Sequence, residues 1–325
     1  MRRSQVSRSG LWRWGRLVAP AVVLAVLVWR LGTGPFLAGV RSVDGRTLAA
    51  GVALVFATTV CCAWRWMIVA RGLGIQLSLS AAVAAYYRAM FLNVTLPRGI
   101  VGDVHRGLSH GREVSDVGRA LRSVGWERFA GQVVQVLMTV VVLLMLPSPV
   151  RSAMPLAAVV VVLAGFGLAL IARARPAGAR SAWARVRSAV ASDIHDGLLA
   201  RGAWRRIALL SALVVAGHAL TFLIAARAAG TTAPPSRMVP IALFVVMAMV
   251  LPNFGGWGPR EGVAAWLFGA AGLGAGQGVA TAVVYGVMVF VACLPGAVVL
   301  VVSWFRRTRP AGRTEPLLRE RTAHA

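Results

Sequence analysis

Asp103 and Arg106 lie three residues apart, about one turn if their segment is helical, and they close a Pro- and Gly-rich stretch. That stretch reads Asn93-Val-Thr-Leu-Pro97-Arg98-Gly99-Ile-Val-Gly102-Asp103-Val-His105-Arg106. A second one reads Leu251-Pro252-Asn253-Phe254-Gly255-Gly256-Trp257-Gly258-Pro259-Arg260-Glu261. A third acid and arginine, Glu127 and Arg128, stand together at the head of an apolar run. Guanidinium and carboxylate groups so placed can orient an anionic group such as phosphate through charge-assisted hydrogen bonds. Asp103, Glu127 and Glu261 are also the acids available for proton coupling. Acid–base chemistry by Asp103 and His105 is the enzymatic alternative. No Ser/His nucleophile pattern, multi-Asp metal cluster, His-rich set or Walker-type Gly-Lys-Ser/Thr accompanies them. Neither a metal nor a cofactor is therefore expected.

The two stretches share an order of parts: Leu-Pro, a Gly-rich turn, then an acid and an Arg opening a new helix. Pro removes a backbone donor and Gly admits positive φ, so a helix ends at each. The structural breaks fall on Pro97, Gly99 and Gly102, and on Pro252, Gly255, Gly256 and Gly258. At membrane depth the freed backbone groups need protein or a wet cavity around them. Gly/Pro-interrupted segments in matching positions of two halves point to a transporter's binding site. Helix N-termini near Gly102 and Glu261 present positive dipole ends, and with Arg98, Arg106 and Arg260 they suit an anionic headgroup. A single break has a plainer account, an interfacial Asp103–Arg106 pair that only pins a loop. Repetition of the same order favours function. The expected substrate-binding set is Asn93, Arg98, Asp103, Arg106, Glu127, Arg128, Asn253, Arg260 and Glu261.

The elements that hold these residues are apolar. Of 325 residues, 58% are hydrophobic and only 14% charged, too little charge for a soluble domain of this length. The formal charge of +25 comes from arginines alone, without a lysine, gathered in short stretches between apolar runs. That distribution belongs to cytoplasmic loops of a membrane protein and excludes a nucleic-acid role. Cys61, Cys62 and Cys293 lie in apolar runs without metal-ligand spacing, and no disulfide framework is expected.

A span takes roughly 20 mostly apolar residues. Residues 17–31, 48–70, 129–146, 153–172, 207–226 and 279–305 fit, while 81–106 and 238–271 are interrupted by Pro, Gly and charge. The basic N-terminus 1–16 with the first span reads as a retained signal anchor. Placing Arg-rich stretches in the cytoplasm puts 1–16, 106–128, the loop 173–206 and the tail 306–325 inside, with the second span ending at Arg65 and Arg71. The first broken segment then enters and leaves on the inside, the second on the outside. The predicted fold is an all-α polytopic membrane bundle, one transmembrane domain over 17–305, with about six spans and two opposed re-entrant helical hairpins, counted as about eight hydrophobic segments.

Other polar groups carry weaker signals. Glu127 complements a helix N-terminus, which alone accounts for it, or completes a charged site facing the first break. His218 reads as a packed hydrogen-bonding group more readily than as a proton relay. Gln132 and Gln135 suit bonds between helices. Residues 180–201, with Trp183, Val186, Val190 and Ile194 at helical spacing, read as an amphipathic helix whose arginines meet anionic lipid.

Three blocks, Asn93 to Arg106, Glu127-Arg128 and Pro252 to Glu261, together resemble the transmembrane, flippase-like domain of bacterial lysyl-phosphatidylglycerol synthases and its free-standing relatives. The helix layout agrees over about residues 15–305. The resemblance implies a bacterial cytoplasmic-membrane protein that translocates or handles phospholipids or lipid-linked precursors. It also implies that Asn93, Asp103, Arg106, Glu127, Arg128, Arg260 and Glu261 surround a central cavity. Two departures bear on it. About twenty residues follow the last span, so no aminoacyl transferase domain and no lipid aminoacylation are expected from this chain. Asn253-Phe254 also follows the second break's proline where a further proline is expected. Expected partners are membrane lipids with anionic headgroups. The alternatives are an accessory subunit of a membrane glycosyltransferase or lipid-synthesis enzyme, and an intramembrane lipid-modifying enzyme. The oligomeric state is not legible.

Overall fold

A computed structural model describes residues 22–96, 99–146, 190–198, 202–253 and 255–308. The expected span 153–172, most of the basic loop and its amphipathic segment, Pro97, Arg98, the basic N-terminus and the basic tail beyond 308 lie outside the described residues. Within them the regular structure is helical: α1 Val22–Leu31, α2 Gly34–Arg41, α3 Gly45–Gly72, α4 Leu79–Thr95 and α5 Val101–Glu113. α6 Val117–Met145, a π-helical turn Asp193–Leu198, α7 Ala203–Ala228, α8 Pro235–Ala248, α9 Pro259–Ala270 and α10 Ala275–Thr308 follow.

Local chemistry sets these boundaries. Asp44, Ser78 and Asp116 cap α3, α4 and α6 by accepting from the backbone N–H groups of Thr47, Ala81 and Arg119. The Asp44 carboxyl is held below its usual range, chiefly by the bond from Thr47. A depressed carboxylate stabilises the fold above its unfolded pKa and loses that contribution as pH falls through the folded value. Asp44→Ala should therefore lower the melting temperature at neutral pH, with the gap to wild type closing as melts are repeated down to about pH 3.

Among the described residues, four helices, α3, α6, α7 and α10, are long and apolar enough to cross a membrane, and α1 with α2 makes a fifth crossing if counted as one. α1 covers the described part of the expected first span, 22–31, and the chain then turns through 95° into α2, at Gly32 with φ 72° and ahead of Pro35. Polarity runs inside out. On α6, Phe129, Val133, Leu137 and Val141 are exposed at four-residue spacing while Glu127, Gln135 and Thr139 are buried. A helix that shows its apolar stripe outward and its polar stripe inward is solvated by lipid.

α10 is the axis on which both broken segments are mounted. Its first half lies against α9, with a Cβ on Gly278 falling 2.3 Å from the Ala264 carbonyl oxygen and one on Gly286 falling 2.4 Å from the Arg260 guanidinium. Its second half lies against α4, where a Cβ on Gly296 would fall 2.1 Å from the Tyr87 carbonyl oxygen. Small residues let these backbones touch, as membrane helix packing favours. Each break folds back on itself, α4 packing on α5 and α8 on α9. The breaks meet between the two halves of α10. A Cβ on Gly99 would fall 2.5 Å from the Asn253 amide, and ones on Gly255 and Gly256 lie 3.4 and 3.5 Å from Val94. The two hairpins thus approach from opposite ends of α10 and touch at their tips.

Candidate functional site

Just past the first tip, Asn93 ties the two limbs together. Its Oδ1 accepts the Gly102 N–H at 2.7 Å and its Nδ2 donates to Asp103 Oδ2 at 3.2 Å. The other Asp103 oxygen accepts from Arg106 Nε at 3.0 Å and from Arg128 at 2.8 Å. Arg106 also donates to Glu127 Oε2 at 2.8 Å and lies over the rings of Tyr86 and Trp66, 4.1 and 4.7 Å from their centroids. The second Glu127 oxygen accepts from Arg65, which reaches Ser211 Oγ on α7 with its remaining arm at 2.9 Å. Gly131 makes room for that guanidinium, since a Cβ there would fall 2.9 Å from it.

Four helices, α3, α5, α6 and α7, and the end of α4 are thus stitched by a continuous ion-pair network. Glu127 is fully buried, Arg106 is 1% and Arg65 5% exposed, while the Arg128 side chain is half exposed. Three guanidiniums share two carboxylates, leaving one positive charge in excess. An Arg106 Nη1 with no hydrogen-bond partner adds a spare donor inside the network. Chemically this is an anion-accepting site with its own carboxylates as competing occupants.

The second centre is smaller and neutral. Glu261 accepts the Gly258 N–H at 2.7 Å with one oxygen, capping α9, and takes the Arg260 guanidinium with the other. Both side chains are buried, and Arg260 lies over Trp257 and Tyr285 at 5.4 and 5.5 Å. Tyr285 is hydrogen-bonded to His218 at 2.8 Å. Asn253 Oδ1 accepts the Gly256 N–H at 3.0 Å and so shapes the second turn.

The structure brings together Asn93, Asp103, Arg106, Glu127 and Arg128, and sets Arg260 and Glu261 apart from them. Gly286 and Gly296, which mark the levels of Arg260 and Tyr87 on α10, are separated by about 15 Å of helix. A single ring of charge around one cavity is therefore replaced by two centres on either side of the touching tips. Arg98 lies outside the described residues. Two depths differ from expectation. Arg65, placed at a cytoplasmic span end, and Glu127, placed at the head of one, both sit inside the bundle because α3 runs on to Gly72 and α6 starts at Val117. Arg65, Tyr86 and Ser211 were not expected in the site. For Arg65 a signal existed, since five apolar residues, Trp66 to Ala70, separate it from Arg71.

A bundle with inverted polarity, and with an ion-pair core beside the meeting point of two broken segments, defines a multi-pass helical membrane protein. The chain belongs to the lysylphosphatidylglycerol synthase TM region family, whose model matches residues 13–308. Neither the comparison with curated proteins nor that with solved structures gave a match.

Proposed function

We propose that this chain is a flippase-like protein that translocates or handles phospholipids or lipid-linked precursors past the charged centres at its two intramembrane breaks. The observation that carries the reading is the ion-pair core with one surplus positive charge beside the touching tips. A charged headgroup crossing bare hydrocarbon costs several kcal/mol or more. Arg128, half exposed and bound to Asp103, is the guanidinium best placed to trade its carboxylate for a phosphate. Such an exchange keeps every charge paired while the headgroup passes. Energy would come from a gradient or a partner, with Asp103, Glu127 and Glu261 as the protonatable groups. Asp103 is held by Asn93 and two arginines, an arrangement for pairing and not for abstracting a proton. No enzymatic activity is proposed. The distribution of arginine favours the cytoplasmic membrane with both termini inside.

The test is scrambling of fluorescent phospholipid in liposomes containing the purified chain. Asp103→Asn should slow it by about tenfold or more, because a bound phosphate then has no carboxylate to displace it. Glu261→Gln should slow it too, by leaving Arg260 uncompensated at the opposite tip. Wild-type rates in both variants would remove the charged centres from the path. An inactive wild type would favour a supporting role beside a membrane glycosyltransferase or lipid-synthesis enzyme. A chemically altered lipid would favour an enzyme.

A further inference from the structure

The π-helical turn Asp193–Leu198 brings the end of the basic loop back to the bundle, where it packs on α3 and α7. The Asp193 side chain is 4% exposed, and one of its oxygens accepts from Arg122 Nε at 2.7 Å and from Trp126 Nε1 at 3.0 Å, both on α6. Gly197 lies against Leu73, just past the end of α3, where a Cβ would meet the leucine side chain at 3.4 Å. Leu198 packs on a small apolar cluster of Val69, Leu73 and Ile207, together with Trp126 and Ala203. Helix spacing fixes the place of that cluster. Val69 is one turn beyond Arg65 on α3, Ile207 is one turn before Ser211 on α7, and Trp126 directly precedes Glu127 on α6. The cluster is therefore a floor under the Arg65–Ser211–Glu127 corner of the ion-pair core, and the turn supplies part of it.

We infer that this turn is a latch: tied through Asp193 to Arg122 and Trp126, it closes one end of the α3–α6–α7 triangle under the core, and its release admits water and small anions to Arg65. The inference goes beyond the lipid-handling reading, since it concerns entry to the core and not what the core carries. A buried carboxylate with two donors seats the turn at a set position. The tie joins residues 71 apart in sequence, so losing it frees the turn without breaking a helix. The Arg122 side chain is 42% exposed, so water and salt weaken its bond and leave the tie able to open. A six-residue turn also buries little apolar surface, and its local opening costs far less than global unfolding. Once it lifts and Leu198 leaves the floor, Arg65 lies one helical turn from the gap, above Val69.

The experiment uses the full chain in lipid nanodiscs, with Cys61, Cys62 and Cys293 replaced by alanine and a single reporter thiol, Ser211→Cys, at a side chain fully buried above the floor. A second reporter, Thr221→Cys, is as deeply buried farther along α7, away from the floor. Reaction with a small anionic methanethiosulfonate is followed by mass spectrometry. Asp193→Ala should speed modification of Ser211→Cys about tenfold or more, the range of one charge-assisted hydrogen bond, and leave Thr221→Cys unreactive. Arg122→Gln should act in the same direction by removing the other half of the tie, and the two changes together should add little to either alone. Equal acceleration at both reporters would overturn the latch, because it would mean a general loosening of the bundle. Ser211→Cys reacting as slowly with Asp193→Ala as without it would overturn it too. Fast modification confined to Ser211→Cys upholds the latch even where the wild-type chain scrambles no lipid, so the latch and the transport reading fail separately.

Discussion

Glu127→Gln is expected to destabilise the protein by about 3–5 kcal/mol, the cost of breaking a buried ion pair from one side. Glu127 is fully buried and gives one oxygen to Arg65 and the other to Arg106. Glutamine keeps the shape but removes the charge, and its amide nitrogen turns a donor toward one of two donors. Arg106 retains Asp103 and two aromatic faces, whereas Arg65 keeps only Ser211 and the Cys62 sulfur. The stranded charge is therefore Arg65, and Arg65→Met combined with Glu127→Gln should regain much of the loss. Arg128→Gln, at a half-exposed side chain, should change stability by no more than about 1 kcal/mol. Thermal melts of the four purified proteins test this order. A Glu127→Gln melt overlying that of wild type, or a double variant no better than the single, would contradict the network.

Gly102→Ala should open the first hairpin. A Cβ at this position would sit 2.0 Å from the Ala89 carbonyl oxygen and 2.6 Å from its carbon. Nothing there is the end of a flexible side chain, so two helices must part, which typically costs about 1–3 kcal/mol or more. The functional loss should exceed the loss of stability. The Gly102 N–H bond to Asn93 and the Asn93 bond to Asp103 depend on the same approach, so Asp103 loses its orientation. Gly125→Ala is the control. It lies inside α6 with open space around its added methyl, and replacing a helical glycine there should stabilise by up to about 1 kcal/mol. Melts and lipid scrambling on both variants separate a hairpin effect from a general one. Equal behaviour of the two would show that the α4–α5 approach does not matter.

The two centres differ in charge. Arg260 and Glu261 satisfy each other and a helix end, which closes them into a neutral pair at the second tip. The core around Glu127 carries the surplus charge. Gly99 lies close against the Asn253 side chain, so the two tips are in contact.

Much of this was legible from residue order, for a local reason. Pro and Gly act on their own backbone, so the ends of α4 and α8 could be read from Leu-Pro and the glycines alone, and hydropathy marked α3, α6, α7 and α10. The reversal of direction between the hairpins was likewise written in where the arginines cluster. Tertiary structure decided which charges meet. Arg65 and Glu127 are 62 residues apart, and nothing in either neighbourhood names the other. Their pairing follows from α3 and α6 packing at one level, with Gly131 leaving room for a guanidinium. Burial then leaves each charge no alternative to the other, because an unpaired ion in so dry a core costs more than any local preference returns. By itself the sequence determined that acids and arginines stand at two breaks in a membrane chain; packing made one group a shared, surplus-positive core and the other a closed pair.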